Sequence, residues 1–140
     1  MKAHSTILAL ITLALSSCVR EETKISKDID GKWVITEIRN SEGEIQELID
    51  KERTIEIGKC VDGSWNCPGK VYGHKPDTNE NLVPFEYTID SRVEIINEDT
   101  TLLLDYYEEG FVEIFIIESI KRKELVLTNT LNYSVLTLNK

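Results

Sequence analysis

Residues 30–140 predict an antiparallel all-β domain of about eight short strands, arranged as a sandwich or as an up-and-down barrel. Three observations carry this. Apolar residues recur with period two over strand-length runs. The runs are rich in β-branched and aromatic residues. Short polar or glycine-containing connections separate them at close spacing.

The elements follow in order. Residues 31–40 (Gly-Lys-Trp-Val-Ile-Thr-Glu-Ile-Arg-Asn) read as a first strand ended by Asn40-Ser41. Residues 42–52 are open between two assignments. Ser41-Glu42-Gly43-Glu44 fits a capping box, with Ile45, Leu48 and Ile49 on one helical face, but Glu44–Ile49 also suits a strand. From Arg53, Ile55 and Ile57 alternate with Thr54 and Glu56. The chain then turns and returns through Lys70-Val71-Tyr72, and residues 75–83 read as a loop. Phe85, Tyr87 and Ile89 alternate with Glu86, Thr88 and Asp90. Further strands are expected at 92–97, 101–107, 111–120, 124–129 and 133–139. The expected inward set is Trp33, Ile35, Ile55, Ile57, Phe85, Tyr87, Ile89, Leu125 and Leu127. The run Phe111–Ile117 is apolar on both faces apart from Glu113, so something is expected to cover its outer face.

The N-terminus carries a different signal. Lys2 precedes an apolar stretch, Ile7–Leu15, too short to span a bilayer. It ends in Leu15-Ser16-Ser17-Cys18, and charged residues follow at once. This stretch resembles the lipobox of bacterial lipoproteins. The resemblance implies cleavage before Cys18, acylation of its thiol, and a lipid anchor in the outer membrane, on its periplasmic or cell-surface face. The expected organisation is a signal peptide over 1–17, a flexible tether over 18–29 and a β-domain over 30–140. Arg20-Glu21-Glu22 also resembles the surface-export signals of Bacteroidota lipoproteins.

Charge excludes one class of partner. The chain holds 16 Lys and Arg against 25 Asp and Glu, a net charge of −9. Such a surface repels nucleic acid. With Cys18 assigned to lipid, Cys60 and Cys67 remain, six residues apart around the turn dipeptide Asp62-Gly63. In an oxidising compartment they are expected to form a disulfide, and the rival reading, a metal site, lacks further ligands, His74 being the sole histidine after the signal.

Gly31-Lys32-Trp33 opening the first strand resembles the Gly-x-Trp signature of the lipocalin-like proteins of Bacteroidota. The closing stretches Ile120–Leu127 and Leu136–Lys140 are similar too. The resemblance implies the barrel rather than the sandwich, and a lumen for a small hydrophobic ligand. Trp33, Tyr72, Phe85, Tyr87 and Phe115 are the candidate wall residues, although the same rings also suit a filled core. Lipocalins often pack a late arginine on the tryptophan; here Arg122 is the only late arginine.

No nucleophile elbow, His-Glu-x-x-His motif or glycine-rich phosphate loop is present. Asp77–Asn81 starts like a calcium loop but has Leu82 where glycine is wanted and Thr88 where a bidentate Glu belongs, so it reads as an Asx-rich turn. The expected function is a membrane-anchored, non-enzymatic binding module with no cofactor and no metal. The alternative is an envelope lipoprotein that acts through protein contacts with a filled core.

Overall fold

The structure is a computed structural model, and it describes residues 25, 28–47, 53–59 and 67–140. The expected signal peptide, Cys18, Cys60 and the Asp62-Gly63 turn lie outside the described residues.

Eight antiparallel strands close into an up-and-down barrel in sequence order. They are β1 (Gly31–Arg39), β2 (Thr54–Ile57), β3 (Cys67–Pro76), β4 (Leu82–Ile96), β5 (Asp99–Tyr106), β6 (Phe111–Ile120), β7 (Glu124–Asn129) and β8 (Val135–Asn139). β1 pairs with both β2 and β8, which seals the cylinder and removes every edge strand. Among the described residues no helix is long and apolar enough to cross a membrane.

Several expectations are corrected in detail. Residues 41–47 are a turn with one bridge, Arg39 to Ile45, and not the start of a helix. Asn40 explains this: its Oδ1 accepts from the backbone N–H groups of Glu42 and Glu44, which holds a local turn instead of a capping box. Residues 48–52 of that segment lie outside the described residues. The expected break between strands at 85–90 and 92–97 is absent, because β4 runs unbroken for 15 residues. Its inward positions continue through Ile89, Ser91 and Val93, and the buried Ser91 hydroxyl donates to the Cys67 carbonyl at 3.2 Å. A satisfied serine fits the lumen without ending the strand. The loop expected at 75–83 narrows to residues 77–81, where Asp77 Oδ1 accepts from the N–H groups of Asn79 and Asn81.

The core is the barrel interior below its mouth. It contains Trp33, Ile35, Ile55, Ile57, Val71, Ile89, Val93, Leu102, Leu104, Tyr106, Phe115, Leu125, Leu127, Leu136 and Leu138. The base of the barrel is plugged. Trp33 is fully buried and its Nε1 donates to the Ile29 carbonyl at 2.7 Å. Ile29 is 1% exposed and Ile25 packs beside it, joined by a backbone hydrogen bond from Ile29 N to Ile25 O. The packed unit therefore reaches back into the segment expected to be tether, because apolar residues four apart can cap a barrel end. Lys140, not Arg122, places its Nζ over the Trp33 ring, 4.7 Å from the centroid. Gly31, at φ +117°, leaves the space that the Lys140 side chain occupies.

Candidate functional site at the barrel mouth

The connections β1–β2, β3–β4, β5–β6 and β7–β8 all lie at the end opposite Trp33. At this mouth the inward positions change character. Arg53 has the parity of Ile55 and Ile57 on β2. Lys75 has the parity of Val71 on β3, and Tyr106 that of Leu102 and Leu104 on β5. Glu113 pairs across the sheet with Leu104, and Phe111 with Tyr106, so both sit on the inward face of β6 with Phe115. Together with Phe85 and Tyr87 of β4, these side chains line a cavity of about 300 Å³.

Aromatic contact runs around the mouth. Phe85 and Tyr87 have ring centroids 5.4 Å apart, Tyr87 meets Tyr106 edge-on at 5.9 Å, and Tyr106 stacks on Phe111 at 4.4 Å. Tyr106 is 1% exposed, whereas Phe111 is 47% exposed. The rings thus descend from solvent to core, an amphipathic wall suited to an apolar guest.

A polar triad crosses the floor of this cavity. Arg53 Nη2 donates to Glu113 Oε1 at 3.0 Å and to Tyr106 Oη at 3.2 Å. The Tyr106 hydroxyl donates in turn to Glu113 Oε1 in a short hydrogen bond. Arg53 Nε is buried with no hydrogen-bond partner among the described residues. Burial works to lower the Arg53 pKa, but the neighbouring Glu113 and Tyr106 outweigh it and hold the guanidinium above its ordinary value. Burial and the Glu113 charge push the Tyr106 phenol well above the usual tyrosine range. Tyr106 therefore stays a neutral donor, and Glu113 is a carboxylate held by two donors. At the rim, Lys75 Nζ donates to Tyr87 Oη at 2.9 Å and sits 5.4 Å from the Tyr87 ring centroid and 5.8 Å from that of Phe85.

The five sequence-derived wall residues are divided among three places. Phe85 and Tyr87 line the mouth. Phe115, 1% exposed, fills the core beneath it. Trp33 plugs the base. Tyr72 alternates with the fully buried Val71 and so lies on the other sheet face, with Lys70 Nζ 5.5 Å from its ring centroid. Tyr72 lines a second recess of about 640 Å³ with Val34, Thr54, Gly73, His74, Pro84, Phe85 and Glu86. That recess lies over the gap where β1 and β3 run on beyond the end of β2 at Thr54. It is the larger of the two, but it draws on both sheet faces. The mouth, by contrast, is built from converging inward side chains.

Arg53, Lys75, Tyr106, Phe111 and Glu113 were not among the expected site residues. The signal for Glu113 was present: it is the one charge in the Phe111–Ile117 run, and it shares the parity of Phe115. The outer face of that run is formed by Val112, Ile114 and Ile116, with Leu103 beside them at 8% exposure and Val112 at 49%. Among the described residues, no group of three or more His, Cys, Asp or Glu side chains is placed to hold a metal.

A search of protein-family profiles, curated proteins and solved structures finds no match to this chain.

Proposed function

We propose that this chain is a lipid-anchored, lipocalin-like lipoprotein of the outer membrane, and that its barrel mouth binds a small hydrophobic ligand without transforming it. The observation that carries the reading is the mouth: an inward-facing aromatic cavity above a filled, plugged barrel. Its volume stands near the lower limit of about 300 Å³ for small-molecule sites. The ligand is therefore small, or projects from the mouth.

Native mass spectrometry of gently purified protein tests this. A stoichiometric, organic-extractable adduct is expected, and it is lost when Phe85 and Tyr87 are both replaced by Ala. An adduct-free protein that also takes up no neutral probe would support the second reading, contact with an envelope protein. The filled core and the half-exposed Val112 on the outer face of β6 favour that alternative.

The anchor rests on Leu15-Ser16-Ser17-Cys18. The proposed Cys60–Cys67 disulfide is supported by the burial of Cys67, 2% exposed at the start of β3. A bridge closing so short a loop contributes about 2–3 kcal/mol in the chain-entropy model. Intact-mass analysis of the membrane fraction reads both features. The reading requires an N-terminus at Cys18 bearing acyl chains and a gain of two hydrogens on reduction. An unprocessed or unacylated chain would refute the anchor, and an unchanged mass on reduction would refute the bridge.

A further inference from the structure

We propose that the connections around the barrel mouth form a docking ring for another protein, one that presents a basic face with an apolar centre. Ile45, Leu82, Tyr107, Leu131 and Tyr133 carry the ring, and none of them lines the mouth cavity. The inference therefore goes beyond the binding reading and does not depend on a ligand.

The first observation is where apolar surface is left in water. Among the described residues, these five side chains are each at least half exposed, Leu131 at 89%. They lie on or beside the four mouth connections, so that every connection presents at least one. At the base, the turns after β4 and β6 are Asn97-Glu98 and Lys121-Arg122-Lys123, with no apolar residue. Single exposed apolar residues are ordinary, but a set gathered at one end of a molecule marks an interaction surface.

The second is that the ring is held in place without a partner. Asn129 Oδ1 accepts from the N–H groups of Leu131 and Asn132, and Tyr133 N–H donates to the Asn129 carbonyl. Tyr133 stands at φ +59°, a conformation that is costly for a bulky residue. Asn40 and Asp77 pin the connections beside Ile45 and Leu82 in the same way. Apolar side chains fixed in solvent lose little further freedom when a partner covers them.

The third is charge, and it selects the partner. Glu42, Glu44 and Glu47 stand in the first connection, Asp77 and Glu80 in the second, and Glu108 and Glu109 in the third. The described residues of the four connections include no Lys, Arg or His. Carboxylates around apolar tips complement a basic surface with an apolar centre. They repel an anionic bilayer, and they repel the mouth of a second copy. Ile25 packs at the base, and the stretch from there to Cys18 reaches at most about 25 Å when fully extended. With the proposed anchor at Cys18, the base is turned to the membrane and the mouth away from it, toward a protein partner.

The experiment titrates the full chain into fluorescein-labelled amphipathic helical peptides of about 18 residues. One carries Leu on one face and Lys on the other; the second has Glu for Lys, and the third has Ser for Leu. The Leu/Lys peptide is expected to show saturable anisotropy. The other two are expected to bind about tenfold more weakly or worse. Leu131→Ser/Tyr133→Ser and Glu108→Lys/Glu109→Lys should each weaken the Leu/Lys peptide about tenfold. Glu98→Lys/Asp99→Lys, the same change of charge at the base, should leave its affinity unchanged. Thermal melts verify the fold of each variant. A neutral lumen fluorophore should bind Leu131→Ser/Tyr133→Ser as it binds the native chain, which separates the ring from the ligand reading. No binding of the Leu/Lys peptide, equal binding of the Glu peptide, or equal losses from the mouth and base charge changes would overturn the inference. Self-association of the chain in sedimentation velocity, or sedimentation with phosphatidylcholine–phosphatidylglycerol vesicles, that disappears in Leu131→Ser/Tyr133→Ser would give the ring to a second copy or to a bilayer, and would overturn it too.

Discussion

Arg53, Tyr106 and Glu113 are three polar side chains at the top of an otherwise apolar lumen, and their hydrogen bonds decide what they contribute. Arg53 and Glu113 are 27% and 21% exposed as side chains, so their ion pair is worth more than a surface pair but is still screened. The Tyr106 hydroxyl adds a donor to the same carboxylate. Tyr106→Phe removes that donor and is expected to cost about 1–3 kcal/mol in urea unfolding. The pH dependence has a definite sign. The folded state raises the Tyr106 pKa above the ordinary value of about 10. The resulting stabilisation is fully present below pH 10 and is lost as pH rises through the folded pKa, because the unfolded chain releases the proton first. Unfolding free energies measured from pH 8 to pH 11 should therefore fall more steeply in the native protein than in Tyr106→Phe. Parallel profiles would show that Tyr106 does not make this contribution.

Strand parity is the element-scale cause of the site. Where one inward set extended over consecutive positions of one strand, as in Phe85-x-Tyr87-x-Ile89, it was legible in the sequence, and so were the bounds of β1, β6 and β7. Lys75 was hidden because β3 continues past Tyr72 into residues that read as loop. Tyr106 was hidden because Leu102, Leu103 and Leu104 give β5 no polar alternation, with Thr101 and Leu103 buried on the outer face as well. Arg53 and Glu113 are far apart in sequence, and only closure of the barrel brings them to 3.0 Å. Register also has a steric anchor. Gly69 lies opposite Ile57, and a Cβ there would run into the Glu56 carbonyl oxygen. That oxygen belongs to the backbone and cannot turn aside. Gly69→Ala is expected to cost about 1–3 kcal/mol by forcing β2 and β3 apart. Hydrogen exchange should show the loss of protection concentrated at Thr54–Ile57; an unaffected β2 would remove the glycine from the argument.

At the scale of the whole molecule, eight strands enclose a lumen that side chains nearly fill. The base is fixed by Trp33, Ile29 and Lys140. At the mouth, charged and aromatic residues replace aliphatic ones and line a cavity of about 300 Å³. The architecture followed from periodicity, and the lipocalin-like resemblance pointed to a barrel before pairing was known. The Trp33 cation, however, came from the C-terminal Lys140, a residue no strand pattern singles out. The most direct test is equilibrium titration of the full chain with a neutral naphthylamine fluorophore, alongside the Phe85→Ala/Tyr87→Ala variant. Saturable one-to-one binding, weakened about tenfold or more by loss of the two rings, is the expected result. Absence of saturable binding, or equal affinity in the variant, would contradict the assignment of the mouth as the binding site.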